Sequence, residues 1–202
     1  MNSHRSLPPV IARLVLASTS IYRRQLLERL RIPFTVHSPG IDESPLPNED
    51  AVSLVHRLAK AKAAAVALRY PDSVIIGSDQ VAVRGATILG KPGSSEAAVA
   101  QLKAASGAQI VFQTAVHVIA PQHQRHEAHV DATIVKFRTL SEDEISRYVA
   151  AEQPLDCAGA FKAEALGITL FERIDSQDPT ALTGLPLIWL AGALRRAGFQ
   201  LP

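Results

Sequence analysis

The sequence predicts an α/β protein built on a mixed β-sheet. Three observations lead to that reading. Short apolar runs rich in Val and Ile alternate with segments of helical period. Two pairs of these runs are joined by brief polar turns, at Arg84-Gly85-Ala86 and at Pro121 to His126, so hairpins interrupt the alternation and supply antiparallel neighbours. No linker separates independent units, and the 202 residues read as a single domain.

The elements follow in order. Residues 1–12 read as a flexible tail, because their apolar run is short and broken by Arg13, unlike a signal peptide. Arg13 to Ala17 (RLVLA) is a buried strand. Ser18, Thr19 and Ser20 are capping residues for a helix over 21–31, with its period carried by Leu26, Leu27 and Leu30. Phe34 to His37 is a short strand, and 38–50 (SPGIDESPLPNED) is a loop rich in Pro and acid that lines a cleft. A long Ala-rich helix spans 51–70, with Leu54, Leu58, Ala61 and Ala65 on one face. A strand over 72–77 precedes the hairpin of 81–83 and 87–89. Ser94 opens a helix that ends near Ala105, closed by Ser106-Gly107. Strands over 109–120 and 128–138 flank the polar tip at 121–126. Ser141-Glu142-Asp143-Glu144 is a capping box for the next helix. A strand over 168–174 and a helix over 185–196 close the chain.

Composition narrows the function classes. Hydrophobic residues make up 47% and charged residues 20%, an ordinary globular balance. The formal charge of +2 gives no reason to expect a bulk polyanion as partner. With 5% aromatic residues and no basic stripe interleaved with them, a nucleic-acid-binding role is not expected. No stretch is long and apolar enough to span a membrane, so no membrane partner is expected either. Cys157 is the only cysteine, which excludes a disulfide framework and a Cys-based zinc site and fits a cytoplasmic setting.

The run VIIGSDQVAV, Val74 to Val83, places Gly77, Ser78, Asp79 and Gln80 inside an apolar strand. Four small or polar residues in a row suit a strand end that lines a cleft. A structural acid capping a turn is the alternative for Asp79. In LVLASTSIYRRQLL, Ser18 to Ser20 stand at a helix N-terminus, where unpaired N–H groups and the dipole favour an anion. Arg23 and Arg24 in the first turn make sense with an anion before them; a plain cap with a solvated basic turn accounts for them too. Lys62 sits on a helix almost free of charge, and Lys91 in LGKPG follows the hairpin; each reads as a surface lysine or as part of a phosphate-binding set. Glu43 in the proline-rich loop, with Asp79, has the carboxylate count that Mg²⁺ takes alongside substrate phosphates. The run HQRHEAH falls at a hairpin tip and lacks metal-ligand spacing, so it reads as a solvated turn, and Cys157 reads as buried packing.

The stretches LVLASTSIYRRQLL, IDES, RLAKAKA, IIGSDQV, GKP, LDCAGAFKAEALGITLFERI and LTGLPL follow one another over 14–196 in the order and spacing of the Maf family of nucleotide pyrophosphatases. Asp79-Gln80-Val81 and Gly159 to Glu164 resemble its 7-methyl-GTP subgroup more than its dTTP/UTP subgroup, which reads Asp-Thr-Ile/Val at the first place. Ile21-Tyr22 departs from the subgroup's usual Pro-Trp but keeps an aromatic ring. The resemblance implies an elongated mixed β-sheet flanked by helices, with two lobes around a central cleft. It implies Asp79 as proton acceptor, with Ser18, Arg23, Arg24, Glu43, Lys62 and Lys91 handling phosphates and metal. It links Tyr22, Gln80 and Glu164 to base choice. It further implies a divalent cation, Mg²⁺ or Mn²⁺, and often a homodimer. The activity expected is hydrolysis of a nucleoside triphosphate to the monophosphate and pyrophosphate. A pyrophosphatase for another base, such as UTP or dTTP, and a nucleotide-binding regulator of cell division are the alternatives.

Overall fold

The structure is a computed structural model that describes residues 13–202, so the tail expected over residues 1–12 lies outside the described residues. Seven strands form one sheet. Three run parallel in the order β2 (Phe34–His37), β1 (Arg13–Ala17), β3 (Ser73–Arg84). Beyond β3 the sheet continues antiparallel through β5 (Gln109–Ala120), β6 (Arg125–Phe137) and β7 (Phe171–Asp175), while the short β4 (Thr87–Leu89) pairs with the far end of β3. The hairpins and the mixed sheet are those the turns predicted.

Register explains the place of the polar run. β1 pairs with Ser73 to Gly77, and β4 pairs with Ala82 to Arg84. Ser78, Asp79, Gln80 and Val81 therefore have no strand neighbour on that edge among the described residues, although β5 pairs with all four on the other. The carboxyl ends of β1 and β2 point at this gap. In open α/β sheets that is where ligands bind.

Five helices cover the faces. α1 (Ile21–Glu28) and α5 (Leu187–Arg196) pack Leu26, Leu27, Leu187, Leu190 and Leu194 against Leu14, Leu16, Val74, Ile76, Val116 and Val118. α3 (Ser95–Ala105) and α4 (Glu142–Glu152) enclose a second core with Ile110, Phe112, Val135, Phe137 and Phe161. These two cores are the two lobes. Thr114, fully buried, stands on β5 between the two clusters, in register with Gln80 and Asp131.

α2 (Ala51–Ala67) lies on the other face of β3 and β5. Its buried stripe is Leu54, Val55, Leu58, Ala59, Lys62, Ala63 and Val66. The Ala61 and Ala65 positions of the predicted face are only partly covered, because Lys62 occupies the stripe. Gly77 lets this helix come close. A Cβ there would sit 2.2 Å from the Ala59 carbonyl oxygen and 2.6 Å from the Ala63 nitrogen.

Several boundaries differ from the sequence reading. α1 stops at Glu28, and β3 runs unbroken through the polar residues to Arg84. Leu166–Leu170 forms a 3-10 turn rather than the start of β7, since the Gly167 backbone is pressed against the Lys162 carbonyl (a Cβ would lie 2.4 Å from it). His126 and His129 belong to β6 instead of a solvated tip, and His129 stacks on Trp189 with ring centroids 5.4 Å apart.

Gly77→Ala should cost about 1–3 kcal/mol through overpacking against α2; urea denaturation of the two proteins checks this. A second expectation concerns pH. Both ring nitrogens of His117 are buried without a partner among the described residues. Burial, reinforced by His126 on β6 and by His56 and Lys60 on α2, pushes its pKa from 6.5 down to about 4. The unfolded chain thus binds the proton more readily. The stability from a neutral His117 is complete above pH 6.5 and is lost as pH falls toward 4, by up to about 3 kcal/mol. His117→Leu should flatten the slope of stability against pH over that window by about one proton.

Candidate active site

The site starts from one buried cation. Lys62 is 5% exposed, and its Nζ donates to Asp79 Oδ1 and to Glu43 Oε2, both at 2.7 Å. A buried charge needs such partners. Asp79, also 5% exposed, comes from the open edge of β3, and strand alternation turns it to the α2 face. Glu43 comes from the proline-rich loop. That loop is tied to α2 by Arg57, whose Nε and Nη2 donate to Glu49 at 2.6 and 2.7 Å. Arg57 Nη2 also donates to the Ser44 carbonyl at 3.0 Å, and Asp50 caps α2 by accepting from the Val52 and Ser53 amides.

Ser78 and Gln80 face the other way. Ser78 Oγ donates to the Gly184 carbonyl at 2.9 Å, and Arg23 Nε donates to the same oxygen at 2.9 Å. Gly184 follows the 3-10 turn Ala181–Thr183 with φ +112°, a conformation that favours glycine. The Arg23 terminal nitrogens have no protein hydrogen bond among the described residues. Burial pulls the Arg23 pKa below its ordinary value, opposed by Asp79 and Glu43. Gln80 Nε2 donates to Thr114 Oγ1 at 2.8 Å and lies 2.9 and 3.0 Å from the Ala181 and Leu182 carbonyl oxygens. Its amide nitrogen is therefore committed to the turn, and only its oxygen lacks a protein partner among the described residues.

These groups line a cleft of about 620 Å³. Of the residues singled out from sequence, Ser18, Tyr22, Arg23, Glu43, Lys62, Asp79, Gln80, Lys91 and Glu164 all border it. Ser18 is buried and accepts the Ser20 amide at 3.1 Å, while Ser20 caps α1. Lys91 is exposed and carries no ion pair among the described residues. Arg24 is the exception. It points away from the cleft and pairs with Glu28 at 3.0 Å, because the residue after Arg23 falls about 100° further round the helix.

Other lining residues escaped the sequence reading. Cys157, read as buried packing, is half-buried in the cleft, with Sγ 3.8 Å from Tyr22 Oη. Phe112 and Phe161 line the cleft from within the second core, and nothing in their local pattern separates them from other core aromatics. Lys162 pairs with Glu152 at 3.5 Å, which leaves Glu164 on the cleft without it.

A family model described as Maf-like protein matches residues 13–197. The chain belongs to the Maf-like family. This Maf-like chain is 53% identical over 191 residues to a protein of Aromatoleum aromaticum, covering 95% of this chain and 98% of that one. It is 54% identical over 193 residues to a protein of Xanthomonas oryzae pv. oryzae, covering 96% and 100%. A Polaromonas protein is 52% identical over 196 residues, covering 97% and 90%. All three bear the name 7-methyl-GTP pyrophosphatase. The Maf-like fold also aligns with the solved structure of the Ham1 protein of Staphylococcus aureus. The TM-score is 0.51 at 14% identity, covering 91% of this chain and 98% of that one, a likeness of fold alone.

Lys62→Met should destabilise the protein by about 3–5 kcal/mol, since it strands the Asp79 carboxylate in a buried site. Adding Asp79→Asn to that variant should recover a large part of the loss. A double-mutant cycle by chemical denaturation reads the coupling; additive losses would show that the two groups do not interact.

Proposed function

We propose that this chain hydrolyses a nucleoside triphosphate between its α- and β-phosphates, and that 7-methyl-GTP is its preferred substrate. The observation that carries the reading is the Asp79–Lys62–Glu43 cluster at the open edge of β3, facing the cleft with Arg23 and Lys91. The names of the relatives supply the base.

In this reading the triphosphate lies along Ser18, Arg23, Lys62 and Lys91. Their charges oppose the charge that develops on the departing pyrophosphate. Water attacks the α-phosphorus, and Asp79 orients it and takes its proton. Asp79 is suited to that work because Oδ1 is fixed by Lys62 while Oδ2 has no protein partner among the described residues. Asp79 and Glu43 also fit a divalent cation. Each has one oxygen bonded to Lys62 and one free of protein partners, and two carboxylates with substrate phosphates satisfy Mg²⁺ or Mn²⁺. When bound, such an ion supplies Lewis-acid polarisation and acidifies water. Among the described residues no three His, Cys, Asp or Glu side chains gather as a metal site, and an ion held by Asp79 and Glu43 would take its other ligands from substrate phosphates and water.

Tyr22 offers its ring to the base, and Glu164 accepts from the ring N–H and the exocyclic amine of guanine. Uracil and thymine present a single donor there and meet the carboxylate with lone pairs. The single cysteine supports placing the enzyme in the cytoplasm, and the family resemblance supports a homodimer. No helix among the described residues is long and apolar enough to cross a membrane.

Incubation with 7-methyl-GTP, GTP, UTP and dTTP plus Mg²⁺ or Mn²⁺ should release pyrophosphate, fastest from 7-methyl-GTP; binding without release would contradict the proposal. Asp79→Asn should lower kcat on the order of 10²–10⁴-fold while the protein stays folded. A rate within threefold of wild type removes Asp79 from the chemistry. Glu164→Gln should reduce kcat/KM for both guanine nucleotides and spare UTP. Tyr22→Ala should hit 7-methyl-GTP hardest, and equal losses on all substrates would leave both residues as scaffold.

A further inference from the structure

The charged groups of the cleft fall into two sets. The carboxylates whose field reaches Arg23 are Asp79 and Glu43. Those whose field reaches the Tyr22 hydroxyl are Asp156 and Glu164. Asp156 borders the same cleft, exposed, at the start of the segment that carries Cys157 and Ala158. Cys157 links it to the aromatic ring, with Sγ 3.4 Å from Asp156 Oδ1 and 3.8 Å from Tyr22 Oη.

We propose that Asp156 is a specificity-determining residue whose carboxylate, held beside Tyr22, favours a positively charged ring base over its neutral counterpart. The inference rests on 7-methyl-GTP being the substrate. A purine alkylated at the seventh ring position carries delocalised positive charge that guanine lacks. The hydrogen-bond donors facing Glu164 are common to both bases, so Glu164 selects guanine without selecting the methyl group. The Tyr22 face attracts the cation. The Asp156 carboxylate, separated from the Tyr22 hydroxyl by the Cys157 thiol, attracts only the charged base, and the two carboxylates divide the work. Cys157 stays out of the balance, since burial pushes its thiol up to about 11 and it remains neutral at physiological pH.

This attraction persists from bound substrate to transition state. Asp156 therefore acts on KM rather than kcat. As an exposed charge it is screened by salt.

The test compares wild type, Asp156→Asn and Asp156→Glu on 7-methyl-GTP and GTP at low and high ionic strength, with 7-methyl-GMP and GMP as competing products. Asp156→Asn should raise KM for 7-methyl-GTP about three- to fivefold and leave GTP nearly unchanged. Asp156→Glu should keep the preference. Added salt should shrink the wild-type preference and not that of Asp156→Asn, and inhibition by 7-methyl-GMP should weaken in parallel. Equal losses on both nucleotides, or a preference unchanged in Asp156→Asn, overturn the role of Asp156 and leave the substrate assignment standing. A wild-type enzyme with no preference for the methylated nucleotide overturns both.

Discussion

The buried ammonium of Lys62 is the constraint on which the rest of the site depends. A lysine 5% exposed is stable only with anionic partners, and Asp79 and Glu43 each meet it at 2.7 Å. Each partner then imposes a condition on the fold. Asp79 must face α2 from β3, and Gly77 supplies the close approach of helix to strand that lets Lys62 reach it. Glu43 must be brought in from the proline-rich loop, and the Arg57–Glu49 pair and the Asp50 cap hold that loop against the same helix. Helix, strand and loop thus converge on one charge, and the two carboxylates are left with one outward oxygen each.

The opposite face of β3 solves a different problem. Ser78, Gln80 and Thr114 all bond to carbonyls of the segment 181–184. The Gly184 carbonyl accepts from Arg23 as well, so the turn transmits its position to the cleft. Thr114 and its register partner Asp131 also stand between the two apolar clusters on that face. One run of four residues therefore builds the chemical group with Asp79 and, with its neighbours, the mount for Arg23. A strand can do both because successive side chains alternate faces.

Much of this is legible in the sequence. The hairpins, the capping box at Ser141 and the strands over 13–17, 34–37 and 109–120 follow from local patterns and turn residues. The polar run Gly77 to Gln80 points to the cleft by its composition, although Gly77, Ser78 and Gln80 also serve packing against α2 and the 181–184 turn, which composition does not show. The pairing of Lys62 with Asp79 does not show, because it depends on register and on a helix face displaced from the one the alanines suggest. Arg24 looks equivalent to Arg23 in sequence, and only helix phase separates them. Cys157 reads as packing because its neighbour Tyr22 is distant in the chain. The gap in the edge of β3 is a property of two strand lengths, β1 ending opposite Gly77 and β4 ending opposite Ala82. No single motif encodes it.

The central claim is that the cluster at this gap directs water to the α-phosphorus of a nucleoside triphosphate. Turnover of 7-methyl-GTP in ¹⁸O-enriched water, with mass spectrometry of both products, tests it most directly. The account predicts that the label enters the nucleoside monophosphate and that the pyrophosphate is unlabelled. Label in the pyrophosphate would place the attack on the β-phosphorus and contradict it.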